Sequence, residues 1–474
     1  MIIESETVDG FTDINRVVLS RYGAILLGLT VLLVGYLLIE QEFRYLYLLL
    51  FPVFFVAAVS HARFAVYQYL FLLFTNIAVE TSPFGFLLVD ISAVILICTA
   101  VLDFLLKGSR IGRFPALSVN FGLLLVALFV VALLGPRPFL AVHSIMRLIL
   151  TTFTFLAFYR LSRYFTLMHL VKVFFWFSVI HCVIALLMSL QSGHPERVFG
   201  LAPKTLDDLT MISFPVGLAL YLWLREGRTV AYLLGSGVIF VALLATQSRL
   251  AILLGGGFSF LVVAYSLGRR VTDRVKGAGE SGRVSKKRTK YLIGFASVAF
   301  LAAIFSNLEF VAAVINRFSE VLRHSPGGTF SLRLLLWDAG LNAFWDNPII
   351  GIGPGNFRFI HEFYPSMRFH PDQFRIEGLT AHNLVIHYLA ETGIVGSSML
   401  IALLINQLRK AVRYFKENIR GGQPAVAMVI LISAIIFFVT AFLEAGWMWG
   451  QTSLVFAFFM AIISKAYDSM SPEA

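Results

Sequence analysis

The side chains best suited to chemistry in this sequence are arginines and one histidine at the margins of long apolar runs. Arg147 lies about nine residues into such a run, which at 1.5 Å per residue carries it about 10 Å or more into a hydrocarbon layer. An arginine at that depth faces a polar cavity or a ligand, or is paired for packing with Asp90 or a backbone carbonyl. Arg249 ends the segment ATQSR between two runs, where snorkelling to headgroups is the alternative to binding. Arg333 stands one helical turn before Trp337, a spacing that suits cation–π packing as well as a ligand site. His382 and Asn383 open the run AHNLVIHYLAETGIVG. An imidazole of ordinary pKa, about 6.5, accepts a proton near neutrality and so fits a general base, a structural histidine being the alternative. His387 falls on the other side of the same helix start. Asp207 and Asp208 precede another run and suit helix capping better than a carboxylate base.

Taken as a set, these residues are several arginines and a histidine without a metal-ligand cluster, and the reading calls for no cofactor. A guanidinium presents a rigid fork that binds phosphate oxygens in pairs and neutralises charge gathering on a diphosphate leaving group. An anionic, lipid-linked substrate fits this set.

The elements that must position these residues are membrane-spanning helices. The 474 residues are 58% hydrophobic and 14% charged, outside the range of water-soluble domains. Apolar runs near 23–39, 44–60, 64–79, 84–106, 116–135, 138–159, 168–190, 208–224, 229–246, 250–267, 291–305, 385–406, 424–443 and 449–466 match the length needed to cross a bilayer. They are too long and continuous for barrel strands, so an all-α polytopic bundle of about twelve to fourteen spans is expected. The acidic, polar start MIIESETVDGFTDINR is unlike a cleaved signal peptide, and the first span is read as retained. Cys98 and Cys182 lie inside spans and read as small buried hydrophobes rather than a disulfide.

The net charge of +11 is concentrated in alternate loops: Lys107 to Arg113, Arg160 and Arg163, Arg225 and Arg228, Arg269 to Lys290, and Arg409 to Arg420. Basic excess in every second loop marks those loops as cytoplasmic, with both termini inside an inner (cytoplasmic) membrane. No aromatic-basic module accompanies the charge, which argues against nucleic acid as a partner. The organisation that follows is a cytoplasmic tail at 1–22, a bundle at 23–305 with a basic inner loop at 268–290, a periplasmic loop at 306–384, closing spans at 385–466 and a tail at 467–474.

Two outer segments are long, Gln191 to Asp208 and Ser306 to about Leu379. Within the second, FVAAVINRFSEVL reads as an amphipathic helix, and SLRLLLWDAGLNAFWDNP as another with Ser331 as N-cap and Pro348 closing it. Gly351, Gly353, Pro354 and Gly355 then force a tight turn.

The stretch SLRLLLWDAGLNAFWDNPIIGIGPGNF followed by AHNLVIHYLAETGIVG resembles the signature region of the O-antigen ligase/polymerase superfamily, which includes Wzy-type polysaccharide polymerases. R-x-x-x-W, P-x-x-G-x-G-x-G-N-F and H-N-x9-G-x-x-G occur in the family's order, downstream of T-x-S-R at Thr246 to Arg249. Weaker similarity reaches back to RVFGLAPKTLDD, which begins at Arg197. The resemblance implies a GT-C-like bundle that moves a glycan from undecaprenyl diphosphate to an acceptor hydroxyl at the outer face, with inversion and without a metal ion. It implies that Arg249 and Arg333 hold the diphosphate and that His382 orients or deprotonates the acceptor, with Arg147, Arg197, Asn383, Trp337 and Asp208 as candidate substrate-binding residues. The implied partners are the lipid-linked donor, a glycan or lipid A-core acceptor, the bilayer, a flippase and a chain-length regulator. Ser397 follows G-x-x-G where ligases usually carry Gly, Thr or Tyr, and the length of the chain favours a polymerase over a ligase. A flippase is the alternative from another class, but the sequence lacks the paired repeats and broken helices of transporters, and its polar residues gather in one outer loop.

Overall fold

The structure, a computed structural model, describes residues 55–58, 60–73, 88–107, 115–135, 137–192, 206–224, 230–275, 329–362, 380–419, 423–443 and 452–470. The chain divides into two units, Met1–Ala57 and Ala58–Ala474, and the architecture below is that of the second. The expected spans at 23–39 and 291–305, the amphipathic helix at 310–322, the basic stretch beyond Val275 and Arg197 lie outside the described residues.

The protein is an all-α polytopic membrane protein, and the described residues contain no strand. Its helices are α1 (Ala62–Leu72), α2 (Leu88–Lys107), α3 (Ala116–Leu134), α4 (Ala141–Leu161), α5 (Leu167–Ser192), α6 (Leu206–Trp223), α7 (Val230–Ala245), α8 (Arg249–Val275), α9 (Thr329–Asp346), α10 (Leu384–Asn418), α11 (Pro424–Ala441) and α12 (Thr452–Asp468). Among the described residues, seven stretches are long and apolar enough to cross a bilayer, and α7 is a shorter apolar helix. Each falls on a run identified by hydropathy, because in lipid the backbone must satisfy its own hydrogen bonds and a long apolar segment does so only as a helix. Hydroxyls inside the spans follow the same rule: Thr151, Ser178, Ser213, Ser236 and Ser259 each donate to the carbonyl one turn back, at 2.6–2.8 Å.

The helices form two groups bridged by α11. In one, α6 packs against α7 and α8, with α5 beside α6 and α7. In the other, α4 packs on α2 and α12, while α10 lies against α3, α9 and α12. Close approach in the first group depends on small residues, since a Cβ at Gly235 would stand 2.8 Å from the Phe175 ring. Aromatic rings fill the junction: Phe174 lies 5.0 Å from Phe459, which in turn lies 5.2 Å from Phe437.

Those of the alternating basic residues that are described converge on one end of this unit. Asp103 accepts from Arg160 at 3.1 Å and from Arg163 at 2.7 Å, and Lys465 donates to the carbonyls of Ser162 and Phe165. At the same ends of α10 and α12, Lys410 and Arg413 lie over the Tyr467 ring. Arg269 donates to the Ile419 carbonyl at 2.6 Å. The starts of α4, α8 and α10 therefore share the opposite end.

Three boundaries differ from the sequence reading. Helix α9 begins at Thr329, so Ser331 lies inside it rather than capping it. The Gly327–Gly328 pair is the stronger breaker, and neither Thr329 nor Phe330 stops a helix. Helices α8 and α10 also run on to Val275 and Asn418, past the ends of their apolar runs, because leaving the bilayer ends hydropathy but not helical hydrogen bonding.

Candidate functional site

At the end opposite the basic residues, three pieces of chain are built into one another. Helix α9 lays Leu336, Ala339 and Ala343 into a core shared with Phe357, Ile360, Ala381 and Ala390. Gly340 permits this, since a Cβ there would stand 2.7 Å from the Ile386 side chain. The chain leaves α9 before Pro348 and enters the glycine turn.

That turn fits into a break in α10, so the expectation that no helix is broken does not hold: the apolar run stays continuous across Gly393 and hydropathy does not register the kink. Gly393 has φ 58° and ψ −156°, a non-helical conformation in the middle of the helix. The break frees backbone groups on both sides, and the turn takes them up. Ile352 N–H donates to Ala390 O and Gly353 N–H to Glu391 O, both at 2.9 Å. In return Ile394 N–H donates to Pro348 O at 2.9 Å and Val395 N–H to Ile349 O at 3.3 Å. Irregular backbone is tolerated in such a place only when protein satisfies it, and here each segment satisfies the other. Both glycines are required by this contact. Gly351 has φ 69°, and a Cβ on it would meet Thr392 N at 2.5 Å; a Cβ on Gly393 would meet Ile350 N at 2.6 Å and Ile349 O closer still. The turn preceding α4 closes the same region, where Leu140 packs against Gly355 and Arg137 lies over the Phe359 ring at 5.6 Å.

The residues singled out for chemistry surround this assembly. His382 is half-buried and has φ 47°, a left-handed conformation that costs an L residue about 1–2 kcal/mol. Such strain gathers at sites where the surroundings impose a side-chain direction. Trp337 fixes its neighbour by donating from Nε1 to Ala381 O at 2.8 Å. Asn383 caps α10: its side-chain oxygen accepts from Ile386 N–H at 3.0 Å. Arg333, one turn before Trp337 on α9, donates from Nη1 to Leu443 O at 3.1 Å, which ties α9 to the chain just after α11. The fold thus brings Arg333, Trp337, His382 and Asn383 into one construction.

Arg147 lies beneath that construction. It is 7% exposed and holds Asp90 in a bidentate pair, Nη1 to Oδ1 and Nη2 to Oδ2, the latter at 3.3 Å. This is the pairing alternative left open by the sequence. A carboxylate so placed neutralises the guanidinium and satisfies its fork. Arg147 still lines an apolar crevice with Thr151, Leu384 and Ser453, directly under the residue that follows Asn383.

Arg249 opens α8 at the same end of the unit. Before it, Gln247 has φ 52°, Ser248 N–H donates to Thr246 Oγ1 at 3.2 Å, and Ser248 Oγ accepts from Ala251 N–H at 3.4 Å. Thr246 and Ser248 thus shape a capped helix start, and the direction taken by the Arg249 side chain is not described. Gln247 and His382 are the non-glycine residues with positive φ among those described, and they fall in two of the motifs that carry the resemblance. Asp207 and Asp208 lie in the first turn of α6, a position that suits their charge to the helix dipole.

One residue of this site was passed over by the sequence reading, and the partner it takes in His387 with it. Glu391 is 5% exposed, and its Oε1 accepts from Phe357 N–H at 3.0 Å while Oε2 stands 3.4 Å from His387 Nε2. The His387 ring lies 4.9 Å from that of Phe357. The available signal was a His–Glu pair at i, i+4 inside an apolar run, where ionisable side chains are rare.

Residues 234–401 match the O-antigen ligase family. The matched stretch runs from α7 to the middle of α10 and includes Thr246 to Arg249, α9, the glycine turn and His382. The match supports the O-antigen ligase superfamily and does not separate its polymerases from its ligases. No curated protein matches the chain.

Proposed function

We propose that this protein is a membrane glycosyltransferase that transfers an undecaprenyl-diphosphate-linked glycan to an acceptor hydroxyl at the outer face of the bacterial inner membrane, in O-antigen or exopolysaccharide biosynthesis. The observation that carries this reading is the coincidence of the family match with the assembly of α9, the glycine turn and the start of α10. In this mechanism Arg249 and Arg333 hold the diphosphate, and His382 takes the proton of the acceptor hydroxyl. The acceptor oxygen attacks the anomeric carbon from the side opposite the diphosphate. The bond from that carbon to the phosphate oxygen breaks, and its electron pair leaves with the diphosphate, so the anomeric configuration inverts. The arginines offset the charge that builds on the leaving group without a metal ion. Trp337 and Asn383 hold His382 in place, Arg147 and Asp90 form the floor, and Asp208, in the first turn of α6, extends the binding surface.

Chain length favours a polymerase that adds to its own repeat unit over a ligase acting on lipid A-core, and the family match is compatible with both. Incubating the purified protein with its lipid-linked repeat unit, with and without lipid A-core, and resolving the products on a gel tests both. A ladder of products identifies a polymerase and a single addition to lipid A-core a ligase. Movement of the substrate across a vesicle membrane without a new glycosidic bond would overturn the reading in favour of a flippase.

A further inference from the structure

From the position of Glu391 we infer that it is a positioning residue for the transfer reaction, acting through Phe357 on the α9 face that carries Arg333 and Trp337 and on His382. The inference rests on the proposed glycosyl transfer for its kinetic part. One residue makes three ties in the break of α10. Its backbone carbonyl accepts from Gly353, its Oε1 accepts from Phe357 N–H at 3.0 Å, and its Oε2 faces His387 Nε2 at 3.4 Å. Phe357 is fully buried, and its ring stands between α9 and the first segment of α10, 4.9 Å from His387 and beside Gly340. The depth of that ring sets the separation of the two helices. The same separation is spanned nearer the outer surface by Trp337 Nε1–H and Ala381 O, immediately before His382. Glu391 also faces a small cavity lined by Ser144, Pro354, His387 and Thr392, so its carboxylate is enclosed rather than presented to a substrate.

The role assigned to Glu391 is reach, since what matters is an acceptor oxygen held far enough along the side chain to receive Phe357 N–H. Glutamine keeps both that oxygen and the length of the side chain. Aspartate keeps the charge but is one methylene too short. The order expected for turnover per folded enzyme is therefore Glu391→Gln within about threefold of the parent, and Glu391→Asp and Glu391→Ala each reduced about tenfold or more.

The test uses the full chain in nanodiscs, labelled with 5-fluorotryptophan, with the Trp337 resonance assigned by its loss in Trp337→Phe. Glu391→Asp and Glu391→Ala are expected to shift the Trp337 signal, and Glu391→Gln to leave it in place. An aspartate variant that outperforms the glutamine one would overturn the inference in favour of a direct electrostatic role. So would loss of turnover with an unmoved Trp337 signal. If Glu391→Ala does not fold, the comparison of Asp with Gln still decides. If the parent protein shows no glycosyl transfer, the functional reading fails, whereas the fluorine spectra continue to report whether Glu391 sets the geometry of α9.

Discussion

At the scale of single residues, His382 combines a strained backbone with a side chain suited to proton transfer, and these can be separated. Replacing His382 with Gly or Ala removes the imidazole in both cases, and transfer should fall by roughly 10²-fold or more in each. Glycine also relieves the left-handed φ, so His382→Gly should be more stable than His382→Ala by about 1 kcal/mol in a detergent unfolding titration. Equal stability would mean that the conformation at 382 carries no strain. Asp90 and Arg147 pose a different question, since each neutralises the other in a buried setting. Asp90→Leu or Arg147→Met alone should destabilise by about 3–5 kcal/mol, because each strands a buried charge, whereas the double replacement should recover most of the loss. The double variant should keep the parent's KM for the lipid-linked donor; a tenfold rise would make Arg147 a ligand for the diphosphate.

At the scale of elements, the decisive feature is a helix that is broken and then repaired by a loop. The ladder of α10 is interrupted at Gly393, and the segment from Pro348 to Gly353 supplies what the ladder lacks. Alanine at Gly351 or Gly393 should therefore destabilise by on the order of 2 kcal/mol or more, from positive φ together with the clash of a Cβ against backbone that has no room to move. Thermal unfolding of purified variants checks this. Gly256, whose Cβ would meet nothing within 4 Å, serves as the control that should tolerate alanine. The pattern P-x-x-G-x-G-x-G-N-F thus works as a plug for α10, holding its two segments in register.

At the scale of the whole molecule, the two ends of the described unit carry different investments. One end gathers Arg160, Arg163, Arg269, Arg413 and Lys465 into contacts with acids, rings and helix-end carbonyls. The other holds the turn, the strained histidine and the start of α10. If the basic end is cytoplasmic, a cysteine at Arg358 should react with a membrane-impermeant maleimide added from the periplasmic side, and one at Arg413 should react only after the inner membrane is opened. The reverse pattern would place the site on the wrong side for a lipid-linked glycan delivered outside.

The sequence by itself determined the spans that fall within the described residues, because the length of apolar chain needed to cross a bilayer is a local property that tertiary contacts do not alter. It also marked the segments that the fold brings together, since α9, the glycine turn and His382 are legible as motifs in the chain. Only the tertiary structure decided how they act. That Trp337 holds Ala381, that Arg147 is answered by Asp90 fifty-seven positions away, and that Gly393 opens a helix for Gly351 to enter are pairings between distant parts of the chain. Glu391 shows the limit most clearly. Its spacing from His387 was visible, but its function depends on a backbone N–H at Phe357 that reaches it only once the turn has entered the break in α10.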